Sequence, residues 1–302
     1  MFENFRGEYR ENISLSEYSS WRAGGLASRL YKPTDLKDLS NFLNALPQDE
    51  PLLWLGLGSN TLIRDGGFLG TVIITQGRLK ELHLLNNHKE NYIIRAEAGV
   101  ACATLARFSA RQNLKGLEFL AGIPGTMGGA LCMNAGCFNG QTWDRVISVE
   151  TIDRQGNILI QTPQDFDVAY RFVKPHDKIQ ERWFVAGTFR LDKGDKEESL
   201  DIIRTLLERR MATQPINEAN CGSVFRNPPN DYAARLIESC GLKGYSIGRA
   251  KVSDKHANFI INEGQGCALD IENLIEHVQK VVQEKTGIKL IREVHIVGNM
   301  AG

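Results

Sequence analysis

Gly122-Ile-Pro-Gly-Thr-Met-Gly-Gly129, followed by Met133-Asn-Ala-Gly136, is the stretch on which the reading of this chain turns. Between residues 116 and 140, seven of 25 positions are glycine, with Leu120, Ile123, Met127, Leu131 and Met133 interleaved. A long loop with so few side chains is either flexible or wrapped closely around something. The interleaved apolar residues argue against flexibility. Upstream, Leu55-Gly-Leu-Gly-Ser-Asn60 ends an apolar run begun at Pro51. Two small residues there let backbone N–H groups approach a phosphate, with Ser59 and Asn60 as further donors. A third glycine and a following long helix are missing, and Asp65-Gly66-Gly67 turns the chain again, so the dinucleotide fingerprint of an open parallel sheet fails on context. Taken alone, Gly56-Leu-Gly58 reads equally well as a plain turn. Two such loops in one chain leave a large nucleotide-type cofactor and a glycine-rich packing corner as the alternatives.

Working outward, Leu36, Leu39, Phe42, Leu43 and Leu46 follow a helical stripe, with Thr34 placed to cap it. Residues 71–75 and 92–96 are β-branched runs, 103–113 is helical in pattern, and 146–162 alternates about Arg154-Gln-Gly-Asn157 as a hairpin does. A strand over 183–191 leads into the charged cluster 192–198 and then a helix over 199–211, with Ile203, Leu206 and Leu207 inward. Further on, the pattern predicts a helix over 231–240 closed by Gly241, a strand over 258–262, a helix over 270–286 closed by Gly287 with Asp270 as cap, and a final strand over 289–297. The last hundred residues read as an α+β domain.

Three side chains stand out as possible chemistry. Ser223, in Asn220-Cys-Gly-Ser-Val-Phe-Arg-Asn-Pro228, follows a glycine that frees the backbone, but no nucleophile elbow surrounds it. It is a proton or hydrogen-bond donor, or a turn serine. Glu293, on a strand, shares a face with Ile291, His295 and Val297, which makes it a candidate for a raised pKa; the plain alternative is a solvated edge carboxylate. Arg171, in Ala-Tyr-Arg-Phe, is a catalytic cation or a surface ion pair.

The composition bounds the rest. The 302 residues carry 36 Lys plus Arg against 36 Asp plus Glu, so no surplus positive field gathers nucleic acid. With 42% hydrophobic and 24% charged residues, the chain sits at the globular average. Residues 1–13 carry five charged side chains, leaving no apolar core for a signal peptide, and no run approaches a membrane span. A cytoplasmic location is the expectation. Cysteines 102, 132, 137, 221, 240 and 267 lack Cys-x-x-Cys spacing, so neither zinc nor a disulfide scaffold is signalled.

Seven segments in order, Trp21-Arg-Ala-Gly-Gly25, Gly56-Leu-Gly-Ser-Asn60, Gly122 to Gly129, Ala169-Tyr-Arg171, Gly222 to Pro228, Val252-Ser-Asp-Lys-His-Ala-Asn258 and the Glu293 strand, resemble the UDP-N-acetylenolpyruvoylglucosamine reductase family. The likeness runs from about Trp21 to Val297. It implies an α+β fold: a two-part FAD-binding domain of the vanillyl-alcohol-oxidase or p-cresol-methylhydroxylase type, over 1–75 and 76–195, and a substrate domain over 196–302. It implies FAD and NADPH as cofactors and reduction of an enolpyruvyl sugar nucleotide in peptidoglycan precursor synthesis. By resemblance, Gly56, Gly58, Ser59, Asn60, Gly122, Pro124, Gly125 and Thr126 hold FAD, and Arg171, Ser223 and Glu293 carry the chemistry. Arg226, Asn227, Lys251, His256 and Asn258 are expected to contact substrate. The short span from Phe172 to Trp183 resembles the branch without a tyrosine-bearing insertion, which leaves the lid over the uridine open. No metal, nucleic acid or membrane is expected as partner. The oligomeric state is not set by the sequence, and a monomer is the expectation. A flavin oxidase on the same scaffold and a non-catalytic nucleotide-binding module are the competing readings.

Overall fold

The alternating runs pair as antiparallel strands in the order Ile158–Gln161, Val146–Asp153, Arg182–Lys193, Asn91–Glu97 and Leu82–His88, with Leu114–Lys115 added to the far end of Arg182–Lys193. The expected hairpin about residues 154–157 joins the first two. A second sheet has the order Glu8–Ser14, Leu26–Lys32, Phe68–Ile74 and Leu52–Leu55, its last pair parallel. This computed structural model describes residues 5–88, 91–176 and 181–302. The first four residues of the chain, and 177–180 of the short span discussed above, therefore lie outside the described residues.

The chain divides into two units. Unit 1 comprises Met1–Arg10, Leu30–Gly56 and Thr71–Arg209; unit 2 comprises Glu11–Arg29, Leu57–Gly70 and Arg210–Gly302. These divisions differ from the expected boundaries after residues 75 and 195. Side-chain packing accounts for the difference, because Trp21, Ala23 and Leu62, early in the chain, lie in the same hydrophobic core as Val224, Leu274 and Val294. Secondary structure does change near 195, where a helix begins, but that helix continues into unit 2.

In unit 1, α1 (Leu36–Ala45) buries Leu39, Phe42 and Leu43, and the Phe42 ring stacks on Tyr31 at 3.7 Å. Its cap is Asp35, whose carboxylate accepts from Asp38 N at 2.8 Å, rather than Thr34. The helix α2 (Cys102–Arg111) buries Leu105, Ala106 and Ala110, and the short α3 (Met127–Cys132) follows the glycine-rich loop. The longer α4 (Lys196–Thr213) starts earlier than the pattern predicts because the Asp195 carboxylate accepts from Glu198 N at 2.9 Å; of the three side chains expected inward, Ile203 is buried, Leu207 packs partly against the core and Leu206 is half-exposed.

In unit 2, α5 (Ala233–Ser239) ends at Gly241, which takes φ +74°, and α6 (Ala268–Thr286) ends at Gly287, also at φ +74°. The apolar stripe of α6 behaves as its spacing predicts: Ile271, Leu274, Ile275, Val278 and Val282 are all at most 1% exposed. Its N-terminus is capped from far away. Asp65 accepts from Ala268 N at 2.8 Å and from Leu269 N at 2.9 Å, while Asp270, the expected cap, accepts from Arg249 N at 2.9 Å. Arg64 adds a bidentate pair with buried Glu272, at 2.7 and 2.9 Å. The strand expected over 258–262 shortens to Ile260–Asn262. The expected final strand, 289–297, is regular only over His295–Val297, which pairs in parallel with Thr61–Ile63; before it, one bridge joins Arg292 to Phe225. The buried positions there are Leu290 and Val294, four apart, and Ile291 is 61% exposed, so Glu293 does not lie on the apolar strand face that strict alternation predicts.

Candidate active site

Within unit 1, the first residue of one glycine-rich loop, Gly56, meets the other at Thr126. The strand Leu52–Leu55 delivers Gly56 against Thr126, so closely that a Cβ on Gly56 would stand 2.3 Å from Thr126 Oγ1. The loop holding Thr126 is fastened to residues 98–102 by Cys102 N to Gly125 O at 3.0 Å, Met127 N to Val100 O at 2.8 Å and Gly128 N to Ala98 O at 2.9 Å. Thr126 is 3% exposed, and its hydroxyl has no hydrogen-bond partner among the described residues. An unsatisfied buried hydroxyl costs about 1–3 kcal/mol, so its persistence beside a glycine that must stay small makes it a candidate for a bond from a ligand. Gly122 is confined less tightly: its Cβ would stand 2.9 Å from the Phe138 ring and 3.2 Å from Cys137 Sγ.

The same unit presents Arg171. Strands Phe166–Ala169 and Phe172–Pro175 pair with Ala169 opposite Phe172, leaving Tyr170 and Arg171 as a two-residue turn. Arg171 takes φ +55°, a conformation that costs an L-residue about 1–2 kcal/mol and usually falls to glycine or asparagine. Its guanidinium donates to Gly136 O at 2.8 Å and Asn134 O at 3.4 Å, and lies 5.1 Å from the centre of the Tyr170 ring. Those acceptors are main-chain carbonyls, so these two bonds orient the guanidinium.

Unit 2 brings Gly58, Ser59, Asn60, Ser223 and Glu293 into one neighbourhood. Gly58 takes φ +63°, with the Tyr18 carbonyl where its Cβ would be, so no other residue fits. Asn60 Nδ2 donates to Glu293 O at 3.1 Å, Asn60 O accepts from His295 N at 3.0 Å, and Glu293 N donates to Val224 O at 2.8 Å. Ser223 therefore stands one residue from a carbonyl bonded to the Glu293 backbone. Gly222, at φ +72°, turns the chain into it, and buried Val224 and Phe225 anchor it from the other side. Ser223 and Glu293 are both half-buried.

The residues expected to contact substrate separate into two groups. Arg226 has a buried Nε with no hydrogen-bond partner among the described residues, which suits an incoming anion. Asn227 is exposed on the same loop, its Oδ1 accepting from Ala233 N at 3.1 Å. Asn258 is different: its amide brackets Phe225, accepting from Phe225 N at 3.0 Å and donating to Phe225 O at 2.8 Å, while its own carbonyl accepts from Val224 N. At 3% exposure it braces the Ser223 loop rather than reaching outward. Lys251 pairs with Asp254 at 2.7 Å and lies 3.8 Å from Glu263, and the Asp254 carboxylate raises its pKa. His256 packs edge-on to Phe259, and burial lowers its pKa, so the neutral ring accepts from Asn258 N at 3.3 Å. In the structure Asn258 and His256 are thus engaged within their own loop and with Phe225, and Lys251 in ion pairs, for which loop spacing carried no signal.

Asn134 escaped the sequence reading. An asparagine inside a run of apolar and glycine residues is the only mark it leaves, whereas the structure buries it to 3% exposure with its carbonyl on Arg171.

Comparison with known proteins fits this geometry. Residues 27–161 match a family model described as an FAD binding domain, and residues 214–297 match the UDP-N-acetylenolpyruvoylglucosamine reductase C-terminal domain. The UDP-N-acetylenolpyruvoylglucosamine reductase of Legionella pneumophila (strain Corby) is 62% identical over 289 residues, covering 95% of this chain and 92% of the relative. That of Coxiella burnetii (strain Dugway 5J108-111) is 53% identical over 312 residues, covering 98% of both. The crystal structure of the corresponding reductase from Thermus caldophilus superposes with a TM-score of 0.80 at 30% identity, over 97% of this chain and 99% of that one. These matches bear out the expected α+β fold with a flavin-binding part, and the C-terminal match spans both Ser223 and Glu293. At such identity over nearly its whole length, this chain belongs to the UDP-N-acetylenolpyruvoylglucosamine reductase family.

Proposed function

We propose that this chain catalyses the NADPH-dependent reduction of UDP-N-acetylglucosamine enolpyruvate to UDP-N-acetylmuramate through bound FAD, in peptidoglycan precursor synthesis. The observation that carries the reading is the hydrogen-bonded joining of the Ser223 loop to Glu293, within a chain 62% identical to a reductase of that name. UDP-activated sugars and NADPH are cytoplasmic metabolites, so this reading puts the reaction in the cytoplasm. Among the described residues, no helix is long and apolar enough to cross a membrane.

The residues present fit a flavin dinucleotide. Gly56 leaves room for close approach, the unpartnered Thr126 hydroxyl is an available donor, and Gly58, Ser59 and Asn60, with Gly122, Pro124 and Gly125, complete two backbone-lined loops. Held by these loops, FAD would supply the redox chemistry, carrying a hydride from NADPH to the methylene carbon of the enolpyruvyl ether. Addition there leaves two electrons on the neighbouring carbon, delocalised into the substrate carboxylate. Arg171 stabilises that charge, and Glu293, when protonated, donates a hydrogen bond to it. Ser223 Oγ gives its proton to the carbon bearing the carboxylate, which completes the saturated lactyl ether. Arg226 and Asn227 hold the diphosphate and uridine.

Thr126→Val removes the hydroxyl at nearly constant shape. The apoprotein is expected to keep or gain thermal stability, because a buried polar atom without a partner disappears, while FAD affinity falls about tenfold, or roughly 1.4 kcal/mol. Differential scanning fluorimetry of the apoprotein and flavin fluorescence titration read the two effects separately; a less stable apoprotein that still holds FAD normally would refute this role. Arg226→Gln should raise KM for the sugar nucleotide about tenfold or more and leave flavin reduction by NADPH unchanged, as measured by steady-state kinetics beside anaerobic flavin bleaching.

The reading as a whole is tested by stopped-flow absorbance of the flavin, reduced by NADPH and then mixed with the enolpyruvyl sugar nucleotide. Rapid reoxidation by the sugar nucleotide supports it. A protein that takes up no FAD would end it, and reoxidation by air but not by the sugar nucleotide would make the chain an oxidase on the same scaffold.

A further inference from the structure

Asn134 sits at the end of α3, 3% exposed, and takes φ +40°, a conformation that asparagine tolerates better than most residues. Nδ2 donates to Ala169 O at 3.1 Å and to Gln141 Oε1 at 3.1 Å, and Oδ1 accepts from Trp143 N at 3.1 Å. Its main-chain oxygen receives Arg171 Nη1 at 3.4 Å. Trp143 is itself a fixed point, 7% exposed, its indole N–H bonded to Leu131 O at 2.8 Å. One side chain thus ties the core at Trp143 to the last strand residue before the Arg171 turn, and the same residue's carbonyl orients the guanidinium. Arg171 holds a backbone conformation it does not prefer, which persists only where neighbours over-determine it. The bond from Asn134 Nδ2 to Ala169 O reaches across to the residue that precedes that turn.

We propose that Asn134 is a positioning residue for Arg171: it locks the Tyr170-Arg171 turn in its left-handed form and thereby aims the guanidinium. This rests on the functional reading above, in which Arg171 stabilises the developing carboxylate charge. Without the amide, the turn relaxes toward negative φ and the guanidinium leaves its carbonyl seat. The cation is then still present but misaimed, so the loss falls on turnover more than on folding.

The test is a double-mutant cycle between Asn134→Gly, which keeps the permissive backbone and deletes the amide, and Arg171→Ala, with amide hydrogen exchange of the apoprotein as a second readout. Asn134→Gly alone is expected to lower kcat for enolpyruvyl reduction tenfold or more, to change flavin reduction by NADPH less than twofold, and to speed exchange over residues 169–172 about tenfold, with residues 188–190 unaffected. In the Arg171→Ala background the same change should cost less than twofold. Asn134→Asp, which keeps the acceptor for Trp143 N but loses the donor to Ala169, should reproduce the faster exchange. Equal losses in both backgrounds, or lost turnover with unchanged exchange, would overturn the proposal while leaving the functional reading in place. If neither variant folds, Asn134 is a framework residue and the proposal fails. Full activity in Arg171→Ala alone would overturn the functional reading, and this proposal with it.

Discussion

Ser223→Ala is expected to slow reduction of the enolpyruvyl sugar nucleotide by more than about 10²-fold while flavin reduction by NADPH stays close to the wild-type rate, because loss of a positioned general acid typically costs 10² to 10⁴. The backbone is prepared for alanine at this position. Ser223 does not take a positive φ, and its neighbours Val224 and Phe225 are held by Asn258 and by Glu293 N, so the substitution removes a hydroxyl and little else. The difference between the two half-reactions is therefore diagnostic, since hydride arrival at the flavin requires no proton from serine. Glu293→Ala should impair the same half-reaction by a comparable factor, because its carboxyl is asked to act on the same developing charge. Anaerobic stopped-flow measurement of each half-reaction checks both variants. If both retain full rates, the two side chains are incidental to the reaction and the chemistry assigned to them fails.

Gly58→Ala is the substitution with the largest expected effect on stability. Many glycines in this chain take a positive φ, and Gly77 at +71° resembles Gly58 at +63° in that respect. Their surroundings differ. A Cβ at Gly77 meets nothing within 4 Å, whereas at Gly58 it would lie 1.9 Å from the Tyr18 carbonyl oxygen and 2.9 Å from its carbon. Gly77→Ala should thus cost only the left-handed penalty, about 1–2 kcal/mol. At Gly58 the clash is with backbone, which cannot rotate away, and the cost is on the order of 3 kcal/mol or more. Where relief of the clash shifts the loop toward Asn60, it disturbs the bonds to Glu293 and His295, so activity is expected to fall with stability. Urea denaturation of the two variants side by side tests the argument; equal destabilisation would show that φ alone, and not the Tyr18 contact, sets the requirement for glycine.

Local pattern was a good guide where one chain segment decides its own conformation. The stripe on α6 and its closing Gly287, the hairpin about residues 154–157 and the strand over 71–75 are all present as expected, because 3.6-residue and two-residue periodicities need only near neighbours. It failed wherever a partner lies far along the chain. The cap of α6 is Asp65, about 200 positions away, while the locally attractive Asp270 is taken by Arg249 N. Asn258 looks like a free donor in its motif, and its commitment to Phe225 follows only from folding. Glu293 lies on a segment that is paired only in part, so alternation misjudged which neighbours it meets.

By itself, the sequence marked the two glycine-rich loops, the α+β character of the last hundred residues and Arg171, Ser223 and Glu293 as candidates for the chemistry, since these depend on residue type and on spacing within short windows. Tertiary structure decided which segments share a core, so that residues 11–29 and 57–70 join the last ninety residues, and it decided which of the polar side chains remain available. The reason is the same in each case. Burial drives most polar groups to find a partner, and in a chain of this length that partner is chosen by three-dimensional proximity, about which local composition carries no information.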